Sequence, residues 1–197
     1  MKEKKKHRLF SGRDYLNDFH QNIKGEYFYT GKIYAFDGSK QAYSQYLTYI
    51  ITDSVLILGF TAAAEFFEPV KMSRFPLTIV LWLLQFIAAS VLAWSCIRTA
   101  YRKNPLREYV YRKTAGTLRI KALVTAAISA AAALEMSIYL LLTGLDGNTW
   151  PNLIRPLLSV FTVVTAYRLY AYLKTVSWKE IPNEGKDKVA PADMPKL

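Results

Sequence analysis

Apolar residues in this chain are gathered into four long blocks, and polar and basic residues fill the stretches between them. The blocks run about Tyr46–Phe67, Phe75–Ile97, Ala122–Thr143 and Asn152–Leu173. Each is close to the ~20 residues that, at about 1.5 Å of rise apiece, cross a hydrocarbon core of about 30 Å. Inside such a core the backbone must satisfy its own N–H and C=O groups, which a helix does within one segment. The pattern predicts an all-α membrane protein built as a bundle of four transmembrane helices. Small residues stand four apart at Ala126 and Ala130, Ala127 and Ala131, Ser129 and Ala133, Gly59 and Ala63, and Ala89 and Ala93. That spacing lets helices approach closely where lipid supplies no hydrophobic drive, and it places Ala122–Thr143 at the centre of the bundle.

The stretches between the blocks divide the chain into a head (residues 1–45), the four-helix domain (46–174) with a basic loop (98–121), and a polar tail (175–197). In the head, Ser11 and Asp14 have the spacing of a helix start, so Gly12–Gln21 is expected to form a short helix. Aromatic and β-branched residues flank Gly31-Lys32, which predicts a β-hairpin over residues 26–36. Such a hairpin is unstable alone in water and would rest on the membrane surface or the span ends. Asn104-Pro105 and Ala115-Gly116 punctuate the loop and leave Leu106–Lys113 as an interfacial helix. The tail, with prolines at 182, 191 and 195, is expected to be disordered. Residues Gly25-Glu-Tyr27-Phe-Tyr29-Thr-Gly31-Lys-Ile-Tyr34 followed by four spans resemble uncharacterised small four-span integral membrane proteins of Gram-positive bacteria. The resemblance implies a bacterial plasma membrane and no catalytic residue.

Charge orients the chain. The formal net charge is +11 although 52% of residues are hydrophobic, and the basic residues lie in the head, the loop and the tail. The Glu68–Arg74 connection carries only Lys71 and Arg74, and Gly144–Pro151 carries no basic residue. An excess of Lys and Arg marks the cytoplasmic side, so both termini and the loop are expected there, in a multi-pass protein of the cell membrane. Arg98, Arg102, Lys103, Arg107, Arg112 and Lys113 would face anionic lipid headgroups, each adding about 1 kcal/mol. Nucleic acid is not the expected partner, because a nucleic-acid binder has no use for four apolar blocks. Tyr46, Tyr49, Trp94, Tyr170, Tyr172 and Trp178 fit an inner aromatic belt, and Trp82 and Trp150 an outer one.

Chemistry is sparse. Cys96 is the only cysteine, and His7 and His20 are the only histidines, so neither a disulfide nor a metal site of the usual ligand spacing is expected. No phosphate-binding glycine loop and no nucleophile motif occurs. The basic start is not followed by an apolar core, so a cleaved signal peptide is not expected. A non-enzymatic protein without cofactor or metal follows.

What remains are polar residues inside the spans, which are costly there and normally find partners. Asp53 lies seven positions past Tyr46 and Arg168 six before Lys174, which is about 10 Å and 9 Å from the same face at ~1.5 Å per residue. An Asp53–Arg168 contact is expected. Glu65 and Arg155 lie near the opposite face, with Glu135 about 12 Å in from Thr143 at the same rise, so Arg155 is expected to serve Glu65 or Glu135. Pro156 would fall in the first turn of its helix, where its missing N–H costs little. The expected role is an accessory or assembly partner of a larger membrane complex, with bound lipid and a membrane-protein partner or a second copy. An alternative is a small oligomeric proton- or cation-coupled transporter or channel, with Glu135 and Gln85 lining its path. A second alternative is a sensor acting through its cytoplasmic head.

Overall fold

The computed structural model describes residues 18–21, 27–67, 76–102, 104–143, 149–183 and 188–189. Four long helices dominate it: α1 (Lys40–Ala63), α2 (Pro76–Tyr101), α4 (Ala115–Thr143) and α5 (Thr149–Thr175). All four are long and apolar enough to cross a membrane. α1 starts where Ser39 accepts a hydrogen bond from the Ala42 N–H at 3.1 Å through its side chain, a normal N-cap. Helix bounds differ from the apolar blocks because hydrogen bonding continues into polar turns beyond them. α5 begins at Thr149, inside the stretch expected to be a turn, so Pro156 lies in the helix interior and not in its first turn.

The helices form a four-cornered ring. α1 packs on α2 and α5, and α4 packs on α2 and α5. α4 is therefore one corner of the ring and not its centre, and its outer faces are exposed at Leu123, Val124, Leu134, Ile138, Leu141 and Leu142. Its inner stripe is Leu118, Ala122, Thr125, Ala126, Ser129, Ala132, Ala133 and Met136. That stripe recurs at threes and fours, the spacing of a packed helix seam. Gly59 departs from its expected role. It is exposed, and a Cβ placed on it would meet nothing within 4 Å.

At one end of the ring sits a cap of short strands: β1 (Phe19–Gln21), β2 (Tyr27–Tyr29), β3 (Ile33–Phe36), β4 (Leu106–Arg107), β5 (Trp178–Ile181) and β6 (Lys188–Val189), with a short helix α3 (Glu108–Lys113) following β4. Two three-stranded antiparallel sheets result, ordered β1-β2-β6 and β4-β3-β5. This corrects four expectations. Residues 27–29 and 33–36 are both strands, but each pairs in a different sheet instead of with the other in a hairpin. Phe19–Gln21 is a strand opposite Tyr27–Tyr29, while residues 12–17 of the expected Gly12–Gln21 helix lie outside the described residues. Two segments of the tail expected to be disordered are strands, Trp178–Ile181 pairing with Phe36–Ile33 and Lys188–Val189 with Phe28–Tyr27, while residues 184–187 and 190–197 lie outside the described residues. Tail segments too polar for a core of their own become the edge strands β5 and β6, pairing the open backbone side of the central strands β3 and β2. Leu106 and Arg107 are strand, so the interfacial helix begins at Glu108.

Tyr29 is the hub of the cap and is fully buried. Its hydroxyl donates to the Lys32 carbonyl at 3.3 Å and accepts from the Glu108 N–H at 3.2 Å. Its ring packs on Phe19 and Tyr109 at 5.2 and 6.1 Å, beneath the Arg107 guanidinium at 5.6 Å. From the tail, Asn183 donates to the carbonyls of Tyr29 and Gly31 at 2.6 and 3.0 Å. A Cβ on Gly31 would lie 2.6 Å from Tyr29 Cζ and 2.8 Å from Asp18 Oδ2, so only glycine allows this approach. Cap and ring meet through aromatic rings: Phe36 lies 5.4 Å from Tyr43, 5.4 Å from Tyr46 and 5.8 Å from Trp178. Tyr46 is fully buried there. It is a core residue at the junction and not part of a surface belt. The Asp37–Lys179 and Lys32–Glu180 pairs, at 2.8 and 2.9 Å, pin the middle of β5 to the head.

Truncating Tyr29 to Ala is expected to cost the cap about 3–5 kcal/mol, and Tyr29→Phe about 1–2 kcal/mol for the unpaired Glu108 N–H. Hydrogen exchange of the β3 and β5 amides measures both losses. Burial pushes the Tyr29 hydroxyl up to about 12. A folded-state value above the unfolded one gives stability that is complete below pH 10 and lost as pH rises through 12. Near-ultraviolet dichroism should show the cap loosening in that window, and Tyr29→Phe should remove this component.

Candidate functional site

Two polar constellations lie within the helix ring. The first joins α1 to α5. Arg168 donates through Nε to Asp53 Oδ2 at 3.4 Å and through Nη2 to Asp53 Oδ1. The depth match expected between these residues corresponds to a two-point contact in the structure. The Asp53 side chain is 2% exposed and the Arg168 side chain 53% exposed. The carboxylate is thus sealed in the ring while the guanidinium faces outward, 5.6 Å above the Tyr49 ring. Tyr49 in turn lies 4.2 Å from Tyr172, which holds the ring under the cation.

Arg168 forms the floor of a cleft of about 470 Å³. Its wall is a polar stripe of α1 formed by Gln41, Ser44, Gln45, Thr48 and Thr52. These positions recur at threes and fours and so share one helix face. All five are exposed. Sequence reading passed over them because each is individually mild. The signal that would have found them is their common face, continuing from the helix cap to Asp53.

The second constellation is a polar seam between α2 and α4. Thr78 donates to Glu135 Oε1 at 2.6 Å, Thr125 reaches the Ala88 carbonyl at 3.4 Å, and Lys121 donates to Ser95 Oγ at 2.6 Å. These contacts set an antiparallel register that brings Gln85 and Ser129 to matching heights. Glu135 Oε2, Gln85 Oε1, Ser129 Oγ and Trp82 Nε1 are buried without a hydrogen-bond partner among the described residues. Among the described residues, Glu135 accepts from Thr78 on α2. Arg155 is buried on α5 at 4% exposure. The side chain of Glu65 lies outside the described residues, as do Lys103, Trp150 and the Glu68–Arg74 connection.

The residues expected at lipid headgroups separate into two groups. Arg98, Arg102 and Lys113 are exposed. Arg112 pairs with Glu108 at 2.5 Å one turn away and remains 75% exposed. Arg107 differs, since its guanidinium covers Tyr29 in the cap and so contributes to packing. Among the described residues no group of His, Cys, Asp and Glu could hold a metal ion.

Removing one partner of a buried pair strands the other, at about 3–5 kcal/mol in soluble proteins. Arg168→Gln alone should lower thermal stability in detergent strongly, because Asp53 is then sealed without a counter-ion. The Asp53→Asn/Arg168→Gln double variant should recover most of that loss, and a double-mutant cycle by thermal unfolding measures the coupling. No protein-family model, curated protein or solved structure matches this chain.

Proposed function

We propose that this chain is a non-enzymatic, multi-pass protein of the cell membrane whose helix ring holds the strand cap at the cytoplasmic surface, as an accessory partner of a larger membrane complex. The observation that carries the reading is the way the cap is made. Head, loop and tail strands, far apart in sequence, close around Tyr29 and lock onto the ring ends through Phe36 and Trp178. A platform fixed in this way presents one surface rigidly, which suits docking of a partner. The ring supports it: α2 turns Leu77, Val80, Leu83, Leu84, Ile87 and Val91 outward, as a lipid-facing helix does. Three of its interhelical polar contacts, Asp53–Arg168, Thr78–Glu135 and Lys121–Ser95, close in pairs. The basic residues Arg98, Arg102, Arg112 and Lys113 lie at the cap end, where they would meet anionic headgroups.

A second reading, a small proton- or cation-coupled transporter, is favoured by one observation: buried oxygens of Glu135, Gln85 and Ser129 in the α2–α4 seam that have no hydrogen-bond partner among the described residues. Such groups are normally hydrogen-bonded, and a seam that leaves them open could pass protons. Glu135→Gln in proteoliposomes separates the readings. The accessory role predicts no pH-gradient-driven flux in either protein, and flux abolished by the substitution would establish the transporter.

Mild-detergent pull-down followed by mass spectrometry is expected to recover a recurring membrane-protein partner, and loss of that partner in Tyr29→Ala would locate its binding to the cap. Repeated recovery of this protein alone would overturn the accessory role. Orientation has its own check, in a Cys96→Ser background. Asn148→Cys should react with an impermeant maleimide in intact cells, and Glu180→Cys only after permeabilisation.

A further inference from the structure

The geometry points to the α1–α5 cleft as a binding site for a phosphoryl oxyanion, with Arg168 as its cationic contact and the α1 polar stripe as its neutral donors. The proposal rests on reading α1 and α5 as membrane spans and adds a ligand to that reading.

Charge placement comes first. A guanidinium carries five N–H donors, and Asp53 takes only Nε and one N–H of Nη2. Because the Asp53 carboxylate is sealed at 2% exposure, it neutralises the inner edge of Arg168 and cannot reach round to the outer one. The outer edge keeps three N–H groups, turned toward the cleft. Arg168 also cannot swing away freely, since it is held at two points by Asp53 and lies over the Tyr49 ring. A planar fork fixed on one edge and open on the other is suited to bidentate contact with a phosphoryl group.

The wall supplies the rest. Gln41, Ser44, Gln45 and Thr52 use no side-chain hydrogen bond within the described residues, whereas Thr48 donates to the Ser44 carbonyl at 3.1 Å. Two amides and two hydroxyls therefore line the cleft with donors uncommitted. Among the described residues no acidic side chain lines it except Asp53, whose charge is already engaged. A cation would meet Arg168 and an apolar ligand would strand the amides, so the lining selects an acceptor-rich anion. At about 470 Å³, the cleft lies within the ~300–1,000 Å³ range of ligand pockets.

Position favours a ligand arriving along the membrane surface. Gln41 and Asp53 are twelve positions apart on α1, or about 18 Å at the helical rise. The mouth near Gln41 would lie at headgroup level and the floor at Arg168 about 9 Å in from the cytoplasmic face, where a sealed counter-ion and a polar stripe lead inward from the surface. A phospholipid headgroup and a free phosphate both have the required chemistry.

The test is native mass spectrometry of the delipidated full-length protein titrated with phosphatidylglycerol, with acyl-matched diacylglycerol, and with inorganic phosphate as competitor. Two variants accompany the wild type: Asp53→Asn/Arg168→Gln, which removes the cation while keeping a neutral pair, and Gln45→Leu/Thr52→Val, which keeps the ion pair. Phosphatidylglycerol is expected to bind the wild type at least tenfold more tightly than diacylglycerol. That preference should vanish in the first variant and fall severalfold in the second. Binding that resists millimolar phosphate assigns the lipid headgroup. Phosphate that displaces the lipid and also binds alone assigns a soluble phosphoryl ligand, and both results support the site. Equal binding of the two lipids by the wild type, or a preference unchanged in both variants, overturns it, including the case in which the cleft is instead filled by a partner helix. Release of the wild type from membranes by alkaline carbonate would sink the membrane reading itself. Retention without phosphate preference would sink only the site.

Discussion

The contact between Asp53 and Arg168 ties the first long helix to the last. α1 leaves the cap and α5 returns to it, so this one pair closes the ring and sets the heights at which both helices reach the cap. With that register, Phe36 just before α1 meets Trp178 just after α5, and the β3–β5 pairing follows over four residue pairs. A sealed carboxylate tolerates no slip. Sliding either helix by one turn would leave Asp53 buried without its counter-ion, a larger penalty than any single apolar contact along the ring could offset. Apolar packing makes the bundle compact, and the ion pair makes it specific.

The cap depends on this closure. Its strands are two to four residues long, too short to persist alone. They are stable together because Tyr29 binds the head to the loop through its hydroxyl, and because Asn183 binds the tail to the head. Neither sheet could form from the head segment by itself. The Gly31 position, where Tyr29 closes over the backbone, shows how little space the assembly leaves.

The same interaction shapes the candidate site. By burying one edge of the guanidinium it leaves the other available, and by holding α1 against α5 it lines up the polar stripe of α1 beside that edge. The α2–α4 seam is organised differently. There a Thr–Glu contact and a Lys–Ser contact bracket buried oxygens that have no partner among the described residues. One constellation is closed on the inside and open outward, while the other is open only inward. That contrast is why the two constellations support different proposals.

Reading along the chain determined the four helices and the Asp53–Arg168 pairing, because both follow from linear quantities: the length of an apolar block and the depth of a charge within it. Linear reading also found the β-strand character of residues 27–29 and 33–36, which aromatic and β-branched residues on either side of Gly31-Lys32 carry locally. It assigned them to one hairpin, and the tail to disorder, because strand partners are chosen by backbone donors brought together from distant segments. Gly59 and Tyr46 were misplaced for a related reason, since spacing reveals which residues share a face but not what that face meets. The Thr78 contact to Glu135 was not read from the sequence, because it depends on which helix lies beside α4 and not on depth. Only the tertiary structure decided which neighbours each helix has around the ring, and from that the cleft, the seam and the cap all follow.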